Sequence, residues 1–570
     1  MKRFFALLLA VCSIATVVAQ STFTSTLAAK AKKGATIYGT VECDGKPLAG
    51  VQVSDGYEIT TTDKHGVYNL TSAKRNGNVF VIIPSGYEAL TEGADVVPQF
   101  WANLTADAQT AERHDFALRK VDNLRHVIVT TADIHLSNRF NDTATFANSF
   151  VPSLKAELEQ YRKAGIPVYT LNVGDSSFDL YWYDFLYDIR DFRRTLAEVG
   201  YPTQFFNTMG NHDNDGATPC DANTDFAAEA KYREAFGPTY YSMNLGNIHY
   251  VMLDNIVYLN EPKANAKVGG GIVGARNYKA AFTREQLDWL AKDLAAVDKS
   301  TPVVIGVHSP IFRYKNYMDG EVSIRLPEEQ QSEFVGLLRD FEKVHLLSGH
   351  THRNRCCYGV RDTEKPDIAN ITEHTVVAVS GTRWHTTAFG GDQIGVTGDP
   401  AGCKIFTIGN KDIKWYFKAT EFDSQTQFRC FDMNSVRDYY RTNGEVRVFL
   451  DHYPNRTDFA KFKGDNVVVV HVWDWATDWK ISIKENGVEL PVKRKKMESP
   501  QYMVAYEIPK RLWTFDLGSS SGSKMSRHPH MFRATASSAD STIEVTVTDA
   551  FGNVYTETMT RPKQFHKLMR

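Results

Sequence analysis

Five short apolar or β-branched runs in the middle of this 570-residue chain each end in a turn bearing a carboxylate, an imidazole or both, a repetition that narrows the possible folds sharply. Val127-Ile128-Val129-Thr130-Thr131 leads to Asp133-Ile134-His135, and Val168 to Val173 leads to Gly174-Asp175. Gln204-Phe205-Phe206-Asn207-Thr208 enters Met209-Gly210-Asn211-His212-Asp213-Asn214, Val303 to Val307 delivers His308, and Val344 to Ser348 delivers Gly349-His350-Thr351-His352. Between them lie stretches of helical spacing, Phe150 to Ala164 and a segment within Phe185 to Val199. A capping box, Thr283-Arg284-Glu285-Gln286, opens a further helix to about Val297. Strands alternating with helices specify a layered α/β architecture, in which the turns after the strands gather at one edge.

The flanks read differently. From about Gly34 to Leu118, runs such as Thr36 to Val41 and Pro47 to Val53, with the turn Asp63-Lys64-His65-Gly66, give short strands of a small sandwich. From about Glu421, Val446 to Leu450, Val467 to Trp473, Trp479 to Ile483, Met503 to Ile508 and Thr542 to Val547 are expected to be strands of a second sandwich, with Gly518 to Ser523 as an exposed loop. The expected division is a signal peptide at 1–19, an N-terminal β domain at 34–120, an α/β domain at 123–419 and a C-terminal β domain at 421–570. Lys2-Arg3, the apolar run Phe4 to Val18 and the small-residue site Val17-Val18-Ala19 follow the order of a secretory signal, so export to the periplasm or beyond is expected. No later run is long and apolar enough to span a bilayer.

Lys plus Arg nearly balance Asp plus Glu, for a formal charge of −2, which gives no electrostatic case for a nucleic-acid partner. Beyond the leader stand Cys43, Cys220, Cys356, Cys357, Cys403 and Cys430, too scattered for a disulfide framework, and the vicinal pair lacks the Cys-x-x-Cys spacing of a thiolate metal site. The polar turns carry the chemistry. Neutral imidazoles, an Asn amide and a few carboxylates hold borderline divalent cations without quenching them. Two such ions about 3.5–4 Å apart acidify a water and clamp a transferring phosphoryl group.

The ordered set Asp-x-His, Gly-Asp, Gly-Asn-His-Asp, His and Gly-His-x-His resembles the calcineurin-like metallophosphoesterases, and the flanking β regions are similar to those of the secreted type in Bacteroidetes. The N-terminal module by itself resembles carboxypeptidase-regulatory or transthyretin-like modules, as a spacer or a glycan binder. The main resemblance implies a helix-flanked β-sandwich core with all-β sandwich domains on either side. It implies that Asp133, His135 and His352 bind one metal, that Asp175 bridges, and that Asn211, His308 and His350 bind the second. His212 would face the phosphate and assist the leaving oxygen, with Asp213 orienting it.

Position 178 is Phe, not the Tyr of purple acid phosphatases, so the expected cofactors are two divalent ions of the Mn, Fe or Zn class. Arg383 and His385, after the Gly-His-x-His block, are candidate phosphate contacts or members of a surface loop. The aromatics of Tyr181 to Tyr187 either wall the cleft or belong to the core. The substrate expected is a small-molecule, glycan or lipid phosphoester. A phosphomonoester, a phosphodiester of lipid, nucleotide or glycan, and a non-catalytic glycan-binding role all remain open at this level.

Overall fold

A computed structural model describes residues 23–264, 266, 269–316, 321–359, 366–513 and 527–569. The expected signal peptide and the loop expected at Gly518 to Ser523 lie outside these residues. Two sheets form the central region. The first has the order Gln204–Thr208, Val168–Val173, Arg125–Thr131, Gly402–Gly409, Asp412–Ala419, with the first three strands parallel and the last two antiparallel. The second has the order Tyr241–Leu245, Ile248–Met252, Val303–Gly306, Val344–Ser348, Ile371–Thr375, Arg355–Tyr358, with its four inner strands parallel.

Alternation along the strands explains how the layers stack. Ile128, Leu171 and Phe206 share one core with Val251, Ile305 and Leu346 of the second sheet. Val127, Val129 and Phe205 pack instead with Leu154 and Leu158 of the helix Val151–Lys163 and with Phe192 and Leu196 of the helix Ile189–Glu198. Successive side chains point to opposite faces, so one apolar strand feeds two cores. The helix Ile189–Glu198 starts at a capping box formed by Asp188 and Asp191. Arg284–Ala295 starts where the sequence expects it, and the Thr283 hydroxyl accepts from the Gln286 amide. The Gln286 side chain does not complete the box; it bonds the backbone of Asp254 on both sides.

Residues 37–120 fold into a six-stranded and a four-stranded sheet. They dock on the same helix through Trp289, whose ring meets Phe80 at 6.1 Å and whose indole donates to the Ser54 hydroxyl at 3.0 Å. Residues after Phe428 form two four-stranded sheets. Two expected strands there are helical instead. Val446 to Leu450 belongs to the helix Gly444–His452, capped by the Asn443 side chain; Val446, Phe449 and Leu450 are buried at helical spacing, whereas Val448 is 48% exposed. Met503 to Ile508 continues a helical segment begun at Pro500 behind the Ser499 cap. The C-terminal region is thus β-rich with a helical cover, not all-β. The six cysteines from Cys43 to Cys430 are free thiols, and all but Cys220 are buried.

A buried ion pair ties the central sheet to the C-terminal sheets. Lys404, on Gly402–Gly409, lies 2.8 Å from Asp474, just past Val467–Val472, and both side chains have zero exposure. Removing one partner strands the other charge away from water. Asp474→Ala is expected to lower unfolding free energy by about 3–5 kcal/mol, measured by urea denaturation, and the double replacement Lys404→Met, Asp474→Leu to recover most of that loss.

Candidate metal centre

The five turns lock to one another through their backbones. The Asp133 amide donates to the Gly174 carbonyl (3.0 Å), that of His135 to Asp175 (3.0 Å) and that of Gly349 to His308 (3.0 Å). The His350 amide donates to Asp133 Oδ2 and the His212 amide to Asp175 Oδ1, both at 2.8 Å. Five of the seven expected ligands adopt left-handed backbone: Asp133 (φ 53°), His135 (51°), Asp175 (55°), His350 (64°) and His352 (55°). Such conformations cost on the order of 1–3 kcal/mol each and persist only where the surroundings enforce them. Gly210 belongs to this enforcement, because a Cβ there would overlap the Asp175 amide and carboxylate.

The side chains converge in two groups. In the first, His352 Nε2 lies 3.1 Å from His135 Nε2 and 3.2 Å from Asp133 Oδ1. In the second, His308 Nε2 lies 3.1 Å from Asn211 Oδ1, 3.2 Å from His350 Nδ1 and 3.3 Å from Asp175 Oδ2. The same Asp175 oxygen is 3.7 Å from His135 Nε2, so it belongs to both groups. Donor atoms bound at about 2.1 Å to one ion are roughly 3.0–3.4 Å apart, which matches these separations.

Protonation alone does not satisfy the arrangement. The His308 Nδ1–H donates to the Val173 carbonyl (2.9 Å) and the His352 Nδ1–H to the Gly381 carbonyl (3.4 Å), so in the neutral rings the Nε2 lone pairs face the centre. Asp133 Oδ1 is buried without a hydrogen-bond partner among the described residues. Burial pushes His135 and His350 well below the usual imidazole range, toward the neutral, ligating form. Burial alone would raise Asp175, but His308 and His212 hold it well below the usual carboxylate range. The donor set fits two borderline divalent cations sharing one carboxylate.

Comparison with known proteins agrees. The model described as calcineurin-like phosphoesterase matches residues 126–354, and its companions, described as the N terminal and C terminal of calcineurin-like phosphoesterase, match 35–121 and 373–555. The chain belongs to the calcineurin-like phosphoesterases. Similar solved structures include a dimetal phosphatase from Danio rerio, 13% identical over 52% of this chain and 99% of that one, with a TM-score of 0.29. Another is the 5'-nucleotidase of Candida albicans, 10% identical over 51% of each chain, with a TM-score of 0.25. No curated protein matches. The chain is a metal-dependent phosphoesterase with a calcineurin-like core and β-rich flanks.

In this phosphoesterase His212 stands beside the first group, its ring 5.2 Å from that of His135 and 4.6 Å from that of Phe178. Its orienting partner is Asp179, not Asp213. The His212 Nδ1–H donates to Asp179 Oδ1 at 2.7 Å, and Arg276 Nη1 reaches both Asp179 oxygens at 2.9 and 3.0 Å. Asp213 instead accepts from the amides of Ser176, Ser177 and Gly210, which ties the turn after Asp175 to that of Asn211. Asp179 follows Asp175 by four residues in the same turn, and that proximity was the available signal; Arg276 and Tyr278, whose hydroxyl lies 3.1 Å from His350 Nε2, carried none.

Arg383 is exposed, with left-handed backbone (φ 57°) and its guanidinium 5.3 Å from the Phe178 ring centre. His385 packs between Phe140 (4.6 Å) and Tyr506 (6.0 Å), and burial pushes it down to about 3. Its ring is held by packing between those two aromatic side chains. The aromatic segment divides: Trp182 and Tyr187 are core, while Tyr181 stacks against Arg139 at 3.4 Å and edges onto Phe178. Asp175→Ala is expected to lose bound metal as counted by plasma mass spectrometry. His212→Ala and Asp179→Asn are expected to retain it while kcat falls by about 10²–10⁴-fold and by a smaller factor, respectively.

Proposed function

We propose that this chain is an exported phosphomonoesterase in which His212 protonates the departing oxygen. The observation that carries this reading is the shared Asp175 oxygen, flanked by two donor groups, with the Asp179-held imidazole beside them. Two divalent ions of the Mn, Fe or Zn class, when bound by Asp133, His135, His352, Asp175, Asn211, His308 and His350, supply charge for the phosphoryl oxygens and acidify water at neutral pH.

The remaining work falls to side chains of this chain. Asp179, itself held by Arg276, accepts from His212 Nδ1–H and fixes the ring, so that a proton carried on Nε2 is left for the leaving oxygen. When the phosphorus–oxygen bond breaks, that proton neutralises the alkoxide. Arg383 adds a second cation beside the Phe178 ring that packs on His135 and His212. A further positive charge suits a dianionic monoester better than a monoanionic diester. Export rests on the charged, apolar and small-residue order of residues 1–19, and the three-part division at 34–120, 123–419 and 421–570 belongs to the same proposal.

The test compares p-nitrophenyl phosphate with bis-p-nitrophenyl phosphate after chelation and after returning Mn, Fe or Zn. The expected outcome is metal-restored turnover with the monoester preferred, and a several-fold rise in KM for the monoester in Arg383→Ala. Preference for the diester, unchanged by Arg383→Ala, would assign a phosphodiesterase instead. Cell fractionation reads export directly, with the mature chain expected outside the cytoplasm.

A further inference from the structure

A second convergence of metal-type donors lies outside the phosphoester site. Asp399 sits at the end of the loop that leaves Ser380, His471 on the strand Val467–Val472 and His528 at the head of the neighbouring strand His528–Thr535. Their exposures are 0%, 0% and 4%, and one donor atom from each lies within 4.8 Å of the others. His471 Nε2 approaches Asp399 Oδ1 to 2.9 Å, yet among the described residues neither atom makes a hydrogen bond, and His471 Nδ1 has no partner among them either. His528 Nε2 is 3.9 Å from Asp399 Oδ2, which accepts from the Thr397 hydroxyl at 2.5 Å.

An ordinary buried Asp–His pair is held by a directed hydrogen bond, and polar atoms left without one at this depth are costly. Close approach without that direction is what two ligands of one cation show. We propose that Asp399, His471 and His528 bind a third divalent ion of the zinc class, with a structural role. Two imidazoles and one carboxylate are a donor set that zinc accepts, and enclosure is the mark of structural zinc sites.

The site joins parts of the fold that matter to the phosphoester centre. The loop bearing Asp399 also presents the Gly381 carbonyl to His352 Nδ1, and a Cβ on Gly395 would lie 3.3 Å from the His352 carbonyl oxygen. An ion on Asp399 therefore fastens the C-terminal sheet to the loop that packs on a ligand of the first group.

The test loads the full chain with zinc, removes unbound metal by gel filtration, counts zinc by plasma mass spectrometry and locates it by anomalous scattering at the zinc edge. The expected result is three zinc ions per chain. One is expected to remain in Asp175→Ala, and two in His528→Gln, whose thermal midpoint falls by several degrees. An anomalous map of the wild-type chain with no peak among Asp399, His471 and His528 overturns the proposal, and it decides the matter even if His528→Gln fails to fold. A wild-type chain with zinc only at that triad would sustain this inference and defeat the dinuclear reading.

Discussion

One carboxylate oxygen is the point on which the molecule turns. Asp175 Oδ2 lies within 3.7 Å of His135 and 3.3 Å of His308, which arrive from different sheets of the sandwich. Neither sheet holds a complete set of donors. The apolar alternation that stacks the two sheets also fixes the separation of the strand ends, and so the separation of the two donor groups. The other Asp175 oxygen accepts from the His212 amide, which places that imidazole by the same residue that joins the two groups.

Such a centre is held under strain by its surroundings. Left-handed backbone at Asp133, His135, Asp175, His350 and His352 brings side chains back over the strand ends, where extended turns would carry them away. What enforces it is mostly backbone: carbonyls of Gly174, Asp175 and His308 receive amides from the facing turns. This is why the motifs contain glycine. Gly174 and Gly210 touch, and a side chain on either would displace the neighbouring turn.

Much of this was legible in the sequence because the signal was local and repeated. Each ligand follows a β-forming run, so a reading of strand ends found the seven donors that the structure brings together. What escaped was set by tertiary contact. Asp213 adjoins His212 in the chain, but the turn directs its carboxylate to three backbone amides and leaves the ring to Asp179. Val446 to Leu450 alternates like a strand, yet the Asn443 cap and the burial of Val446, Phe449 and Leu450 fit a helix. His471 and His528 are 57 residues apart and lie in no motif, so only the pairing of their strands reveals their common neighbour.

The loop after Ile371–Thr375 carries a consequence for how such chains recombine. The family model for the C-terminal part begins at residue 373, inside the six-stranded sheet, and takes in Gly402–Gly409 of the five-stranded one. Ser380 and Trp384, within that part, donate to the carbonyls of Asp133 and Ile134. The segment that sequence comparison treats as a companion therefore supplies strands to both sheets of the core. Exchange of C-terminal parts between relatives would splice through a hydrogen-bonded ladder, and the seam along which this lineage could shuffle lies beyond Ala419, where the last strand of the core ends.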